Sequence, residues 1–172
     1  MAAGTISTLA VDARGTSTTP SRAPYFVEAN IDLAAAVTAK GTALEADEII
    51  QAITVPANTM ILTAGFEVTT SVDAAADGNT VNLGVTGLDV TRFVSAFDID
   101  DDSASLSSGV GYATQADGAA PVIIGASEDT IDLELQATTT APTEGVIRVF
   151  AVLLDIDALG GSADEVVRDQ LA

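Results

Sequence analysis

From Tyr25 onward the chain alternates between apolar and polar positions. In Tyr25–Leu33, residues Tyr25, Val27, Ala29, Ile31 and Leu33 fall on one side, and Phe26, Glu28, Asn30 and Asp32 on the other. That period of two marks a half-buried strand. Ala34–Ala39 fits a helical turn, and Gly41 stops it from growing into a long helix. Asp47–Val55 (DEIIQAITV) is ambiguous by period, but its β-branched residues and the following Pro56 favour a strand that ends in a turn at Pro56-Ala57-Asn58. Thr59–Thr69 alternates again, with Met60, Leu62, Ala64, Phe66 and Val68 predicted on one face. Gly65 inside it marks a bulge or a close backbone approach.

Further strands follow at short spacing. Ser71–Asn79 reads as a loop, and Thr80–Val85 as a strand with Val81, Leu83 and Val85 aligned. Asp89–Phe97 is another strand or an irregular crossing. Asp98–Gly111 is polar, rich in glycine and serine, and predicts a long loop. Pro121–Gly125 is a short apolar strand. In Thr130–Ala137, Ile131, Leu133 and Leu135 oppose Asp132, Glu134 and Gln136. Gly145–Ile156 is apolar on both sides over much of its length, which predicts a central strand with both faces covered. About seven to nine short strands with turn signals between them predict an all-β fold, an antiparallel β-sandwich or jelly-roll-like domain.

The two ends differ from this middle. Residues 1–24 are rich in Ala, Thr, Ser and Gly without a sustained period, and read either as a floppy terminus or as an extended N-terminal arm that orders against a neighbouring subunit. Residues 25–158 form the sandwich domain. Residues 159–172 hold a hinge at Gly160-Gly161 and a short C-terminal helix opened by the capping box Ser162-Ala163-Asp164-Glu165. Its apolar residues Val166, Val167 and Leu171 must dock, on the chain's own domain or on a partner, because isolated helices shorter than about 12–15 residues are marginal.

Composition sharpens this picture by exclusion. The 172 residues fit one domain, and 48% are hydrophobic, enough for a packed core. Only 4% are aromatic and Trp is absent, so Val, Ile, Leu and Ala build that core. With 25 acidic and 6 basic residues the formal net charge is −19, which repels nucleic acid and anionic membranes. Such a surface suits salty water, where screening shortens the Debye length to about 3 Å at 1 M. Neither cysteine nor histidine occurs. Disulfides, thiolate sites, the Ser-His-Asp triad and imidazole metal ligands are thereby excluded. The start MAAGTISTLAVDARG has neither a basic head nor a long apolar stretch, so no secretion signal is expected, and no run of about 18 apolar residues predicts a membrane span.

Candidate chemistry is sparse. Asp98, Asp100, Asp101 and Asp102 place four carboxylates within five residues, a set that suits calcium as a hard cation. The run lacks the glycine and glutamate spacing of an EF-hand, and a solvated acidic loop is the competing reading. Carboxylate pairs are too common here to single out a glycosidase. The glycine-rich Ser107–Gly111 lacks a phosphate-binding pattern. Arg92 reads as a surface ion pair or an intersubunit contact. Arg148, inside the most apolar strand, requires a carboxylate partner or an interface. Arg92, Arg148, Val166, Val167 and Leu171 are therefore the candidate interface residues, and no catalytic residue is assigned.

Glu45–Phe93 (EADEIIQAITVPANTMILTAGFEVTTSVDAAADGNTVNLGVTGLDVTRF) and Thr130–Asp155 (TIDLELQATTTAPTEGVIRVFAVLLD) resemble small virion proteins of tailed viruses. The resembling features are VPANT at Val55–Thr59, GFEVTT at Gly65–Thr70, the Leu83-Gly84 strand end, the Asp89–Phe93 stretch and GVIRVFAVLLD at Gly145–Asp155. The resemblance covers about half the chain and implies a capsid decoration (cement) protein. Its implied partners are the major capsid protein and further copies of itself as a homotrimer, and its implied place is the virion surface after synthesis in the host cytoplasm. The alternative is an extracellular carbohydrate-binding or adhesin-type module of the same architecture.

Overall fold

The structure is a computed structural model that describes residues 5–6, 24–72, 78–100, 111–114 and 121–156. Among these, ten strands and one helix follow in order: β1 (Thr5–Ile6), β2 (Tyr25–Asp32), α1 (Leu33–Lys40), β3 (Glu48–Val55), β4 (Thr59–Thr70), β5 (Thr80–Val85), β6 (Asp89–Asp98), β7 (Gly111–Thr114), β8 (Val122–Ile124), β9 (Asp129–Ala137) and β10 (Val146–Asp155). They form two sheets. The first has the order β1-β3-β9-β5-β6, and the second β2-β10-β4-β7, with β8 also on β4. Every pairing is antiparallel except β1 on β3. The pairs nest: β2 with β10, β3 with β9, β4 with β7 and β8, and β5 with β6 at the centre.

The alternation read from the sequence decides which face is inside. Val27, Ala29 and Ile31 of β2 and Ile147, Val149, Ala151 and Leu153 of β10 meet Val81, Leu83, Ile131 and Leu133 of the first sheet in one apolar core. Full burial of each aliphatic side chain stabilises by roughly 1.5–3 kcal/mol. With few aromatics available, one ring pair bridges the sheets: Phe66 and Phe97 pack edge to face with centroids 5.1 Å apart.

Helix α1 connects β2 to β3 and extends the expected helical turn by a residue at each end. The Asp32 side chain accepts a hydrogen bond from the Ala35 N–H at 3.1 Å, a standard N-cap. Gly41 closes the other end in the left-handed region, φ 77°, and its N–H donates to the Val37 carbonyl. Leu33 and Ala36 are buried. At the last turn, Lys40 lies 2.5 Å from Glu48 Oε1 and donates to the Ala43 carbonyl, while Glu48 Oε2 accepts from the Glu45 N–H. Glu48 is almost wholly buried, so the helix is joined to β3 by an ion pair facing inward.

Four expectations change. The face predicted for β4 is out of phase at its start. Ile61 is in the core, whereas Met60 and Leu62 are half-buried on the outer side. The cause is a bulge at Leu62: Val152 faces Thr63 and Leu153 faces Ile61, leaving Leu62 without a partner position on β10. Gly65, expected as a bulge or a close backbone approach, forms no bulge and sits in regular register against Phe150. Strand β10 is central, as expected, but only one of its faces is fully buried. Val146, Arg148, Phe150, Val152 and Leu154 are half-buried on the outside. Finally, β7 was not predicted. The described part of the N-terminal region, Thr5–Ile6, pairs with Ile49–Ile50 of its own domain. The rest of the predicted arm and the C-terminal helix, with Gly160, Gly161, Val166, Val167 and Leu171, lie outside the described residues.

Candidate functional site

The outer faces of the two sheets differ chemically. On the first sheet, polar side chains on β5 and β9 bond across the strands. Thr80 Oγ1 donates to Gln136 Oε1 at 2.6 Å, and Asn82 Nδ2 donates to Glu134 Oε2 at 2.6 Å. Beyond them, Thr86 donates from both its N–H and its hydroxyl to Asp132 Oδ2. Asn82 also accepts, at Oδ1, the N–H of Ala96, whose φ of 51° marks an irregular point in β6. The polar groups of this ladder bond to one another, except that Asp132 Oδ1 is buried without a hydrogen-bond partner among the described residues.

Asp132 is 2% exposed. Its pKa is raised from the usual 3.8 because burial disfavours the charged form, an effect that outweighs hydrogen bonds from Thr130 and Thr86. A carboxyl that holds its proton to higher pH in the folded state than in the unfolded state contributes most stability below the unfolded value. That contribution falls as pH rises through the folded value. Asp132→Asn is therefore expected to gain stability relative to the unmodified chain as pH climbs from about 3.8. Urea unfolding of both proteins between pH 3 and 8 checks this, and a constant difference contradicts it.

On the second sheet the outer face carries an apolar band beside the charged group Arg148, Glu28 and Glu67. Phe26 is 59% exposed and stacks on Phe150 with centroids 6.2 Å apart. Cross-strand pairs carry the surface across the sheet: Phe26 to Val152 from β2 to β10, Leu154 to Met60 from β10 to β4, and Met60 to Ile123 from β4 to β8. Ile123 is 54% exposed. It forms one wall of a groove of about 260 Å³ whose other lining includes Val85, Leu88, Asp89, Arg92 and Pro121. Leu88, at 61%, completes the set of large apolar residues exposed among the described residues. Phe26 and Ile123 thus lie on one band of the second sheet, and Leu88, in the β5–β6 turn of the first sheet, meets Ile123 at the groove.

The predicted site residues fall around that band. Arg148 finds the carboxylates expected of it, Glu67 and, at 3.6 Å, Glu28. Its side chain is 42% exposed, so it is a member of the outer face and not a buried cation. Arg92 lines the groove and helps hold the Asp89 carboxyl below its usual pKa, after the stronger effect of hydrogen bonds from Thr91. In the acidic loop, Asp98 accepts from the Asp100 N–H at 3.0 Å. Asp100 is buried and accepts from the backbone N–H and the side-chain amide of Asn79, at 3.1 and 2.8 Å. These two carboxylates therefore close the junction between β5 and β6. Asp101 and Asp102 lie outside the described residues, and among the described residues no three potential metal-ligating side chains converge.

No protein-family model matches the chain, and no curated protein sequence matches it. Solved structures do. A chain from the capsid of Ralstonia phage GP4 superposes with a TM-score of 0.57 at 14% identity, over 92% of this chain and 100% of that one. A chain from the cyanophage Pam1 capsid asymmetric unit superposes with a TM-score of 0.54 at 13% identity, over 83% and 94%. The chain shares its fold with these capsid chains. The likeness agrees with the resemblance to virion proteins of tailed viruses read from Glu45–Phe93 and Thr130–Asp155. Periodicity did not predict the apolar outer band. Its available signal was Phe26, an aromatic residue in the polar phase of β2, and the doubly apolar pattern of β10.

Proposed function

We propose that the chain is a virion structural protein of a tailed virus, a decoration (cement) subunit that seats on the outer capsid shell and holds neighbouring shell subunits together. We read the nested strand pairs, first with last and so inward, as a jelly-roll-like sandwich. The observation that carries the proposal is the near-complete superposition, at a TM-score of 0.57, on a chain from a phage capsid. Support also comes from a sequence without histidine or cysteine and from the apolar band on which Phe26 and Ile123 are more than half exposed. In this reading the protein acts through buried area. Its partners are the major capsid protein and further copies of itself, arranged as a homotrimer, and repetition over many sites adds avidity.

Purified particles are expected to contain the chain at a fixed ratio to the major capsid protein, measured by quantitative mass spectrometry. Particles lacking it are expected to release their contents at a lower temperature, or after a smaller drop in salt, than complete ones. Equal survival of both particle types refutes a cementing role, and absence from particles refutes a virion role.

A further inference from the structure

The geometry points to the outer face of the second sheet, from Phe26 and Phe150 across Leu154 and Met60 to Ile123, as the surface that seats on the shell, and to an apolar, basic-rimmed protein surface as its partner rather than another copy of this chain. The inference rests on the decoration reading and adds to it a face and a partner chemistry.

The unlike outer faces of the sheets carry the first step. The ladder on the first sheet presents polar side chains already bonded to one another, Thr80 to Gln136 and Asn82 to Glu134, so covering them gains little. The second sheet leaves phenylalanine and isoleucine side chains more than half exposed, on a band that crosses β2, β10, β4 and β8. With strands about 4.8 Å apart, four of them span about 15 Å. A contiguous apolar surface of that width on a folded domain marks an interaction site.

Charge selects the partner. Arg148 on this face lies between Glu28 and Glu67 and is outnumbered by them, and Arg92 in the adjoining groove sits beside Asp89. Asp89 adds a carboxylate at the Ile123 end of the band, so carboxylates outnumber guanidinium groups along it. Lys40, the only lysine, is committed to Glu48. A second copy would bring another −19 charges and an equally acidic rim to the same contact. Like charges at a rim disfavour association, whereas a basic rim steers it. The apolar centre supplies the burial, and lysine or arginine on the shell answers the carboxylates.

The test uses the full chain and particles from which it has been removed. The Phe26→Ser/Ile123→Ser variant changes only side chains already more than half exposed, so its melting curve and oligomeric state are expected to match those of the unmodified chain. Its binding to particles, measured by co-sedimentation, is expected to fall at least about 30-fold, as for central apolar anchors. Glu28→Lys is expected to weaken binding severalfold at low salt, with the difference fading as salt screens the rim. Undiminished binding of the double variant overturns the inference. So does a loss of self-association by that variant, or tighter binding by Glu28→Lys, since each assigns the face to contacts between copies. An unmodified chain that never binds particles refutes the decoration reading itself, and that result is visible before any variant is made.

Discussion

Gly84→Ala is expected to yield little soluble protein, and what does fold is expected to be less stable by at least about 3 kcal/mol. Gly84 lies on β5 where the chain turns at Thr86–Leu88 and returns as β6, and the Leu88 N–H donates to the Val85 carbonyl to close that turn. A Cβ on Gly84 would overlap the Asp89 carbonyl oxygen and the carbonyl group of Val90. These are backbone atoms, so no rotamer change relieves the clash. The start of β6 would have to move, and with it the packing of Phe93 and Val94, both buried. Gly125→Ala is the control, because nothing lies within 4 Å of the added carbon there. Soluble yield and urea midpoint of the two variants make the comparison, and equal behaviour contradicts the close approach at Gly84.

Lys40→Met is expected to destabilise the chain by about 3–5 kcal/mol, the usual consequence of leaving a buried charge without its partner. For a domain of this size that corresponds to a melting temperature lower by about 6–20 °C. Glu48 is 1% exposed, and besides Lys40 it has the Glu45 N–H as a hydrogen-bond donor. A carboxylate so placed is held by the ammonium group more than by solvent. Adding Glu48→Leu to Lys40→Met is expected to recover most of the loss, since removing both members of a buried pair is often close to neutral. Thermal unfolding of the single and double variants decides it. A single variant that melts with the unmodified chain would mean that water reaches Glu48.

Where one face of a strand is buried against the core and the other is polar, the sequence was legible. Strand β9 behaves as its alternation predicts, and β2 does so apart from Phe26, whose exposed ring breaks the polar side. The β3 and β4 strands and the turn between them at Pro56–Asn58 are also where the residues place them. The failures share a cause. In Met60-Ile61-Leu62 three apolar residues follow one another, so the run carries no phase, and the register was set by β10, a strand distant in the chain. In β10 apolarity on both sides was read as cover on both sides. Sequence records that a face avoids water, but not whether the covering atoms belong to the same molecule. The pairing of Lys40 with Glu48 was invisible for a different reason. It depends on how the end of α1 lies against the first residue of β3, which no periodicity encodes. Of the site, Arg148 and its need for a carboxylate could be read in advance, because a cation within an apolar strand demands a partner. The band around it required the sheet order.

The nested pairing sets a timetable for the chain's birth. Residue 25 takes its partner at residue 153, and the second sheet has no centre until β10 arrives. During synthesis the apolar stretches of β2 and β4 leave the ribosome long before their mate exists, and contacts so far apart in sequence form slowly. The heavy negative charge then acts on the nascent chain before it acts on any finished particle: it keeps half-made copies apart while each waits for its closing strand.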